Sequence, residues 1–304
     1  MIQPDAFEFN ESTFKSNPFQ EATNRSVTEL QVAAANEFEV VVDTLQKYGI
    51  LVDRFPSKPN TPDAVFPNNW LSLDTKGRLT LFPMMSTNRQ EEYQPSIIEY
   101  LTTQYKVSNI HDLRHYSQKG IFLEGTGSLV FDHSSNSAYA CISPRTNFEL
   151  AKRYSEEMGY TLVPFHTTDD RGTAIYHTNV MMSVGHSYAV LCLDVIPDKK
   201  DQNRILAQLK KNHKKPIIIS YSQMSQFAAN CILLNTNKGP ILFMSLRGFR
   251  ALSTNQLHQI EQHAPIHPID IPTIESVGGG SLRCMICENF LKKKSTLNQD
   301  LTYH

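Results

Sequence analysis

Hairpin patterns recur along this chain at a nearly constant spacing, and this repeat limits the possible folds more than any other feature. Two short apolar runs around a polar turn are typical of paired strands, and they occur at 70–84, 128–143, 179–195 and 230–246. The residues just before them, Asn68, Gly127, Asn179 and Asn230, are 59, 52 and 51 residues apart. A period near 50 predicts a ring of similar units, because one such unit alone cannot bury its apolar face.

Helical patterns and short apolar runs separate the hairpins. The longest pattern, 27–48, places apolar residues three or four apart and ends before Gly49, which favours termination. Weaker helices are predicted at about 89–104, 146–159, 199–212 and 253–263, and strands at 50–55, 120–124, 161–165, 216–220 and 265–271. The fifth unit, 284–291, lacks a second half, and we expect 6–10 to supply the missing strand. No linker divides the chain, so we expect one α/β domain over 1–304; the alternative is an ordinary α/β domain with evenly spaced hairpins.

The composition argues against several classes of protein. Among 304 residues there are 29 Lys+Arg and 30 Asp+Glu, a net charge of −1, whereas nucleic-acid binders usually carry a basic excess. The basic run 292–294 is typical of a solvated surface. No apolar stretch approaches the ~18 residues of a membrane span, and the N-terminus does not resemble a secretory signal. Five cysteines without a disulfide-like pattern favour a reducing, cytoplasmic location.

The repeat itself predicts which residues meet. If rotation relates the units, the loops before the hairpins converge at one end of the axis. The polar residues in or beside those loops are Asn68, Asn69, Glu124, His177, Asn179 and Cys284.

Cys284 follows a run of three glycines, which permit unusual backbone angles and a close approach to a ligand. A thiol there can be a nucleophile if a base such as His177 lies nearby; taken alone, a buried core cysteine is the alternative. A metal site is not expected, because the pair formed with Cys287 has no matching second ligand pair. Non-functional roles are the alternatives for the other two residues: a structural histidine for His177 and a solvated edge-strand acid for Glu124.

The segments FLEGTGSLV, YHTNV and GGGSLRCM, in this order, resemble the motifs of the guanidino-group-modifying superfamily. This superfamily includes arginine deiminases, dimethylarginine hydrolases and glycine amidinotransferases. The resemblance covers nearly the whole chain and implies the pentein fold, a five-bladed α/β propeller with pseudo-fivefold symmetry. It also implies that Cys284 is the covalent nucleophile, that His177 is the general acid/base and that Glu124 positions the substrate nitrogen. No cofactor is expected.

The same resemblance extends to the substrate pocket. The segment PDAVFPNNW is similar to a family segment in which an Asp, a Phe and an acidic pair line the pocket. Asp63 and Phe66 match that segment, whereas Asn68 and Asn69 replace the acidic pair. Further along the chain, Arg89 and Arg145 resemble arginines that bind the substrate carboxylate, with helix-start or surface roles as the alternative.

Three positions that often carry charge in the superfamily are amides here, since Asn179 also stands where an Asp is frequent. A guanidinium with too few anions would be costly to bury. An amide can face both the oxygen and the N–H groups of a neutral ureido group. We therefore expect hydrolysis of a ureido amino acid, citrulline to ornithine, CO2 and ammonia, which places the chain nearest the citrulline ureidase branch.

Other functions stay open. A guanidino hydrolase of the arginine deiminase or dimethylarginine hydrolase type would rely on Asp63 and Glu124 as its anions. An amidinotransferase would need room for an acceptor amine, and a non-catalytic pentein would only bind its ligand. In each case the expected partner is a small molecule rather than a nucleic acid or a membrane, and a dimer is compatible with the sequence.

Overall fold

Four three-stranded sheets follow one another in the computed structural model, which describes residues 1–294. The last ten residues of the domain predicted over 1–304 lie outside that range. In each sheet an antiparallel hairpin is followed by a third strand parallel to the second. The strands are β1 Leu71–Leu73, β2 Arg78–Leu81, β3 Asn109–Asp112, β4 Leu129–Asp132, β5 Ser137–Ile142, β6 Thr161–His166, β7 Met182–Val184, β8 Tyr188–Cys192, β9 Lys215–Ile219, β10 Ile232–Thr236, β11 Gly239–Ser245 and β12 Ile266–Ile269.

The second strand of each hairpin lies in the middle of its sheet. In the third sheet, Met182 of β7 pairs with Leu191 of β8, and Leu191 pairs on its other side with Ile218 of β9. All five residues of β8 are buried, as expected for a strand covered on both faces. The crossover from the second to the third strand runs through a helix, which the parallel pairing requires.

The helices agree with the apolar periodicity, except that the one predicted at about 89–104 is divided by the non-helical residues 91–94 into Thr87–Gln90 and Pro95–Gln104. The longest begins after Ser26, which forms a capping box with Glu29, and ends just before Gly49, whose φ is +78°. Its buried face includes Leu30, Phe38 and Leu45. The helices are α1 Glu11–Phe14, α2 Val27–Lys47, α3 Thr87–Gln90, α4 Pro95–Gln104, α5 Gly125–Ser128, α6 Phe148–Met158, α7 Lys199–Lys211, α8 Tyr221–Ser225, α9 Leu246–Ala251, α10 Thr254–Glu261, α11 Pro272–Gly278 and α12 Leu282–Met285, with 3-10 turns at Pro67–Asn69, Arg114–Lys119 and Thr178–Val180.

The fifth unit is built from both ends of the described chain and differs from the expectation. Residues 6–10 form no strand; the contact is made instead by Ile2, which bridges to Phe55 in parallel. At the other end, Asn289 bridges to Leu73 in the first sheet. The strand expected at 50–55 is reduced to the bridge between Phe55 and Ile2, because one partner residue cannot extend a ladder.

The strand predicted at 120–124 is also wrong. Gly120, at φ +68°, ends the 3-10 turn before it, and Leu123 forms only an isolated bridge with Thr146. The third strand of the first sheet is instead β3, whose residues are mostly exposed. An exposed edge strand carries little of the apolar alternation that a sequence pattern detects.

Apolar clusters join neighbouring units. One unites the second, third and fourth sheets through buried side chains such as Tyr139, Val190 and Leu242. Another connects α2 to the fourth sheet and to α11 and α12. Within the described residues, no helix is long and apolar enough to cross a membrane.

Candidate active site

The loops that precede the hairpins form short turns, and these turns meet. They are Pro67–Asn69, α5, Thr178–Val180 and α12. The first two are joined by a hydrogen bond from Asn68 Nδ2 to Thr126 Oγ1 at 3.1 Å. The last two are joined by a contact from Asn179 Nδ2 to Cys284 Sγ at 3.4 Å. The convergence predicted from the 50-residue period is therefore present in the structure.

Glu124 and His177 form a buried pair. His177 Nε2 lies 2.8 Å from Glu124 Oε2, and the two side chains are 2% and 0% exposed. Burial lowers the pKa of His177 below its usual range, although Glu124 opposes the shift. Burial disfavours ionisation of Glu124, but Arg145 and the His177 hydrogen bond outweigh it and hold the pKa of this carboxyl below its usual range. At neutral pH the pair is therefore a carboxylate beside a neutral imidazole.

Gly127 makes room for that imidazole. A Cβ at this position would lie 2.7 Å from His177 Nδ1 and 2.4 Å from Asn69 Nδ2. Both distances are far below van der Waals contact, so any side chain here would displace the base or the amide. This close approach explains the glycine at the position where other units carry Asn or Cys.

Cys284 is 3% exposed and is contacted by two amides. Besides Asn179, Asn230 places Nδ2 3.3 Å from Sγ. Across the described residues no hydrogen bond joins Cys284 to His177, so the predicted nucleophile and base are not directly paired. The other four cysteines are also free thiols.

The glycine run before Cys284 packs closely against Phe66. Cβ atoms at Gly278 and Gly280 would each lie 2.9 Å from the Phe66 ring. Ser281 follows, and its hydroxyl donates to Glu275 Oε1 at 2.5 Å. Phe66 therefore holds the loop that carries the thiol; its contact with substrate stays a prediction.

Arg89, on α3, lies in a buried ion-pair network. Its Nε and Nη2 donate to Glu92 at 2.8 and 3.0 Å, and Nη1 donates to Asn69 Oδ1 at 2.7 Å. Nη2 also donates to the Phe66 carbonyl at 3.1 Å. Burial raises the pKa of Glu92 to about 7. These contacts use most of the donors of Arg89, which thereby orients Asn69; its contact with a substrate carboxylate stays a prediction.

Asp63 lies beside this network and keeps one oxygen without a partner. Oδ2 accepts from Asn10 Nδ2 at 2.7 Å and from Thr13 Oγ1 at 3.2 Å. Arg89 Nε is 3.9 Å away, and Oδ1 has no partner among the described residues. Burial raises the pKa of Asp63, and Arg89 with these hydrogen bonds offsets the shift only in part. The carboxylate is thus short of positive charge.

Arg145 reaches both Glu124 and the N-terminal segment. Nη1 lies 3.5 Å from Glu124 Oε2, and Nη2 donates to Ser16 Oγ at 2.7 Å. The guanidinium sits 5.0 Å from the centre of the Tyr176 ring. Its Nε has no partner among residues 1–294, so one donor is available to a ligand.

Free polar atoms therefore gather in this pocket. Within the described part of the chain, buried side-chain atoms that lack a hydrogen-bond partner include Asp63 Oδ1, Asn68 Oδ1, Asn69 Nδ2, Arg145 Nε and Asn179 Oδ1. Buried polar atoms are rarely left unpaired in folded proteins, so a cluster of them at the convergence of the turns indicates a ligand site.

A cavity of 860 Å³ adjoins these turns. It is lined by the first strand of each hairpin, β1, β4, β7 and β10, and by hairpin turns such as 132–134 and 185–186. Thr126 and Asn179 line it, whereas Glu124, His177 and Cys284 do not. The cavity therefore reaches the converging turns at Thr126 and Asn179 and extends from them along the hairpins.

Sequence reasoning missed several residues of the site. Glu92 could have been found as an acid three residues after Arg89, and Asn230 as the repeat position of the fourth unit. Asn10 and Ser16 gave no such signal, because they reach the pocket only through the folding of the N-terminal segment against it. No cluster of metal-ligating side chains occurs within residues 1–294.

Solved structures share this architecture. The N-terminal domain of ArgZ, an arginine dihydrolase from the ornithine–ammonia cycle in cyanobacteria, matches with a TM-score of 0.73 and 19% identity over 94% of each chain. Unliganded AgrE gives 0.74 and 18% over 94% of this chain and 38% of that one. A dimethylarginine dimethylaminohydrolase adduct gives 0.62 and 15% over 96% and 98%. At such identities the likeness establishes the fold, and the five-bladed α/β propeller is confirmed.

The fold and this site define a pentein of the guanidino-group-modifying superfamily, a hydrolase that works through a cysteine. The chain belongs, more particularly, to the family described as N,N-dimethylarginine dimethylhydrolase, eukaryotic, whose model matches residues 3–291. No curated protein matches the chain.

Proposed function

We propose that this protein hydrolyses the guanidino group of an arginine-type amino acid through a covalent intermediate on Cys284. The observation that carries the proposal is the charge of the pocket. Three buried carboxyl groups, Asp63, Glu92 and Glu124, face two buried guanidinium groups, Arg89 and Arg145, a formal charge of −1 when all are ionised. Burial raises the pKa of Asp63 and that of Glu92, the latter to about 7, and a bound cation would favour the ionised state of both. The free oxygen of Asp63 adds a direct acceptor. A substrate cation would neutralise this excess, which a neutral substrate would leave buried and uncompensated.

The polar atoms without partners suit a planar cation. Asp63 Oδ1, Asn68 Oδ1 and Asn179 Oδ1 are acceptors, and a guanidinium offers only donors. Arg145 Nε is a donor that we assign to the substrate carboxylate. Arg89 acts indirectly in this proposal, by holding Asn69.

The reaction then proceeds in two balanced halves. The thiol proton of Cys284 passes to His177, and the sulfur attacks the guanidino carbon. The imidazolium, stabilised by Glu124, protonates the departing amine as its C–N bond breaks. Water then gives a proton to His177 and adds to the same carbon. The C–S bond breaks and releases a ureido product, and His177 returns its proton to the sulfur, which regenerates the thiol.

A ureido substrate is the second candidate, and the free donor of Asn69 favours it. Its Nδ2 is a buried donor without a partner among the described residues, and an oxygen is the atom it could hold. ArgZ is described as an arginine dihydrolase, and a second hydrolysis of any guanidino group would act on a ureido compound. We therefore propose that citrulline can react as the second substrate, giving ornithine, CO2 and ammonia. The expectation that citrulline is the preferred substrate took the amides alone into account and omitted Glu92.

Amidino transfer and binding without catalysis are weaker alternatives, because no described residue is assigned to an acceptor amine and the Glu124–His177 pair stands ready for proton transfer. A dimer and a cytoplasmic location remain predictions from sequence.

Ammonia and amine release from purified protein tests the proposal. The substrates are arginine, asymmetric dimethylarginine, citrulline and agmatine, and the variants are Cys284→Ala and the matched control Cys287→Ala. We expect turnover of at least one guanidino amino acid, loss of all turnover in Cys284→Ala and near-normal turnover in Cys287→Ala. Turnover of citrulline with inert guanidino compounds would reject the charge argument, and an active Cys284→Ala variant would reject the mechanism.

A further inference from the structure

The Asn230 carboxamide touches the sulfur of Cys284 with both of its polar atoms. Nδ2 lies 3.3 Å from Sγ, and Oδ1 lies 3.6 Å from it. The side chain is fully buried, so no water competes for these contacts. Asn230 precedes the fourth hairpin, at the position that Asn179 and Cys284 occupy in the third and fifth units.

The orientation of this amide is determined by a second contact. Nδ2 also donates to the backbone carbonyl of Asn179 at 3.0 Å. A carbonyl oxygen can only accept, so the NH2 end must face it, and the alternative orientation of the amide would place two acceptors together. The second N–H of the same group is thereby directed at Sγ.

Such an amide can serve both protonation states of the thiol. The neutral S–H can donate to Oδ1, and the thiolate can accept from Nδ2. Asn179 supplies a further N–H at 3.4 Å. A lysine or arginine in this place would also stabilise a thiolate, but its charge would repel the cationic substrate proposed above.

The chain accepts backbone strain just before Asn230. Phe227 has φ +60°, a left-handed conformation that is uncommon for a bulky residue. The resulting turn is closed by the N–H of Asn230, which donates to the Phe227 carbonyl at 2.9 Å. This turn holds Asn230 at the sulfur.

We propose that Asn230 is a further catalytic residue, which together with Asn179 stabilises the Cys284 thiolate by neutral hydrogen bonds. The proposal rests on the function proposed above, in which Cys284 is the nucleophile. It assigns to the fourth unit of the propeller a part in the chemistry.

The test is the pH dependence of Cys284 alkylation by iodoacetamide, followed by peptide mass spectrometry without substrate. The variants are Asn230→Ser and Asn179→Ser, which replace each amide donor with a hydroxyl on a side chain one bond shorter, and Asn230→Asp, which places a carboxylate at the sulfur. Asn235→Asp, on the exposed part of β10, is the control. Burial raises the pKa values of Cys141 to about 12 and of Cys231 and Cys287 to about 11. Fragment ions separate Cys284 from Cys287, which lies in the same tryptic peptide.

We expect the pH of half-maximal alkylation to rise by about one unit in each Ser variant, a roughly tenfold lower rate below that midpoint. The rise should be larger in Asn230→Asp and absent in Asn235→Asp, and kcat should fall more than KM rises. A purely structural role would lower the melting temperature without moving the midpoint, and an unmoved midpoint in folded Asn230→Ser would overturn the proposal. If Asn230→Asp does not fold, the Ser variants decide. Because alkylation needs no substrate, failure of the turnover assay with shifted midpoints would reject the proposed function alone.

Discussion

At the scale of single residues, the two adjacent amides of the pocket present opposite polar atoms. Arg89 Nη1 donates to Asn69 Oδ1, which leaves Nδ2 free. The Thr126 hydroxyl donates to the backbone carbonyl of Asn68 at 3.3 Å. It therefore accepts from the side-chain Nδ2 of Asn68, which leaves Asn68 Oδ1 free. The acceptor Asn68 Oδ1 and the donor Asn69 Nδ2 are therefore both free. The acceptor suits the N–H groups of a guanidino group, and the donor suits the oxygen of a ureido group.

Replacing Asn69 by Asp separates these two substrates. In Asn69→Asp, one carboxylate oxygen replaces the donor Nδ2, and the other keeps the contact with Arg89, now as an ion pair. We expect kcat/KM for citrulline to fall by about 30-fold, the loss of one buried hydrogen bond at roughly 2 kcal/mol, while that for arginine changes less than about threefold. Steady-state ammonia release measures both. Equal losses on the two substrates would show that Asn69 does not contact the ureido oxygen; exposed Asn109→Asp on β3 is the control.

Some pocket residues could be predicted from sequence and others could not, for a physical reason. Glu124, His177 and Cys284 lie in loops at the repeat spacing, so rotation brings them together. Asn10 donates to Asp63 across 53 residues, and no periodic pattern encodes such a contact. It depends on how the N-terminal segment packs after the ring has formed.

At the scale of elements, the sequence pattern identified hairpins and buried helices well and exposed or irregular pieces poorly. β8 was predicted because apolar residues fill it, whereas β3 was missed because it is an exposed edge strand. The run 120–124 is apolar enough for a strand, yet its last residue turns inward to meet His177 at 2.8 Å. This tertiary contact of Glu124 therefore overrides the local strand propensity.

The element that leads to the nucleophile, α11, contains a buried acid with a pH-dependent cost. Glu275 is 1% exposed, and burial raises its pKa from 4.5 to about 7. A raised carboxyl pKa means that the folded state binds a proton which the unfolded state has lost. Stability from this group is therefore complete below about pH 4.5 and is lost as the pH rises to about 7.

Glu275→Gln keeps an acceptor for the Ser281 hydroxyl and removes this titration. We expect the free energy of unfolding of the variant, relative to the native protein, to increase by about 3 kcal/mol between pH 4.5 and 7. Urea unfolding at several pH values measures it. The exposed Glu261→Gln variant is the control and should show no such trend; a constant difference across this range would contradict the raised pKa.

At the scale of the whole molecule, the pocket belongs to no single unit. Asn68 comes from the first hairpin unit, Glu124 from the second, His177 from the third, Asn230 from the fourth and Cys284 from the fifth. The ring is closed without a covalent bond, by Ile2 against Phe55 and Asn289 against Leu73. The site should therefore exist only while the whole ring is intact.

This closure predicts that the chain unfolds as one domain. Trp70 is the single tryptophan and is buried in the first sheet, while Cys141, Cys192 and Cys231 report on the second, third and fourth sheets through pulsed alkylation in urea. We expect one midpoint for tryptophan fluorescence, far-ultraviolet circular dichroism and all three thiols.

A substitution far from these probes makes the same test sharper. Phe7 is fully buried against the cluster of α2 and α11, and Phe7→Ala should cost about 3–5 kcal/mol. If the ring is one cooperative unit, this change at the N-terminal segment lowers the urea midpoint of every probe equally. Turnover is then lost at the same urea concentration. The exposed Val32→Ala variant is the control and should shift no midpoint. A shift confined to fluorescence, with the thiols of the second to fourth sheets still protected, would instead divide the chain into separately folding parts, because those sheets would then hold their cores without the closing segment.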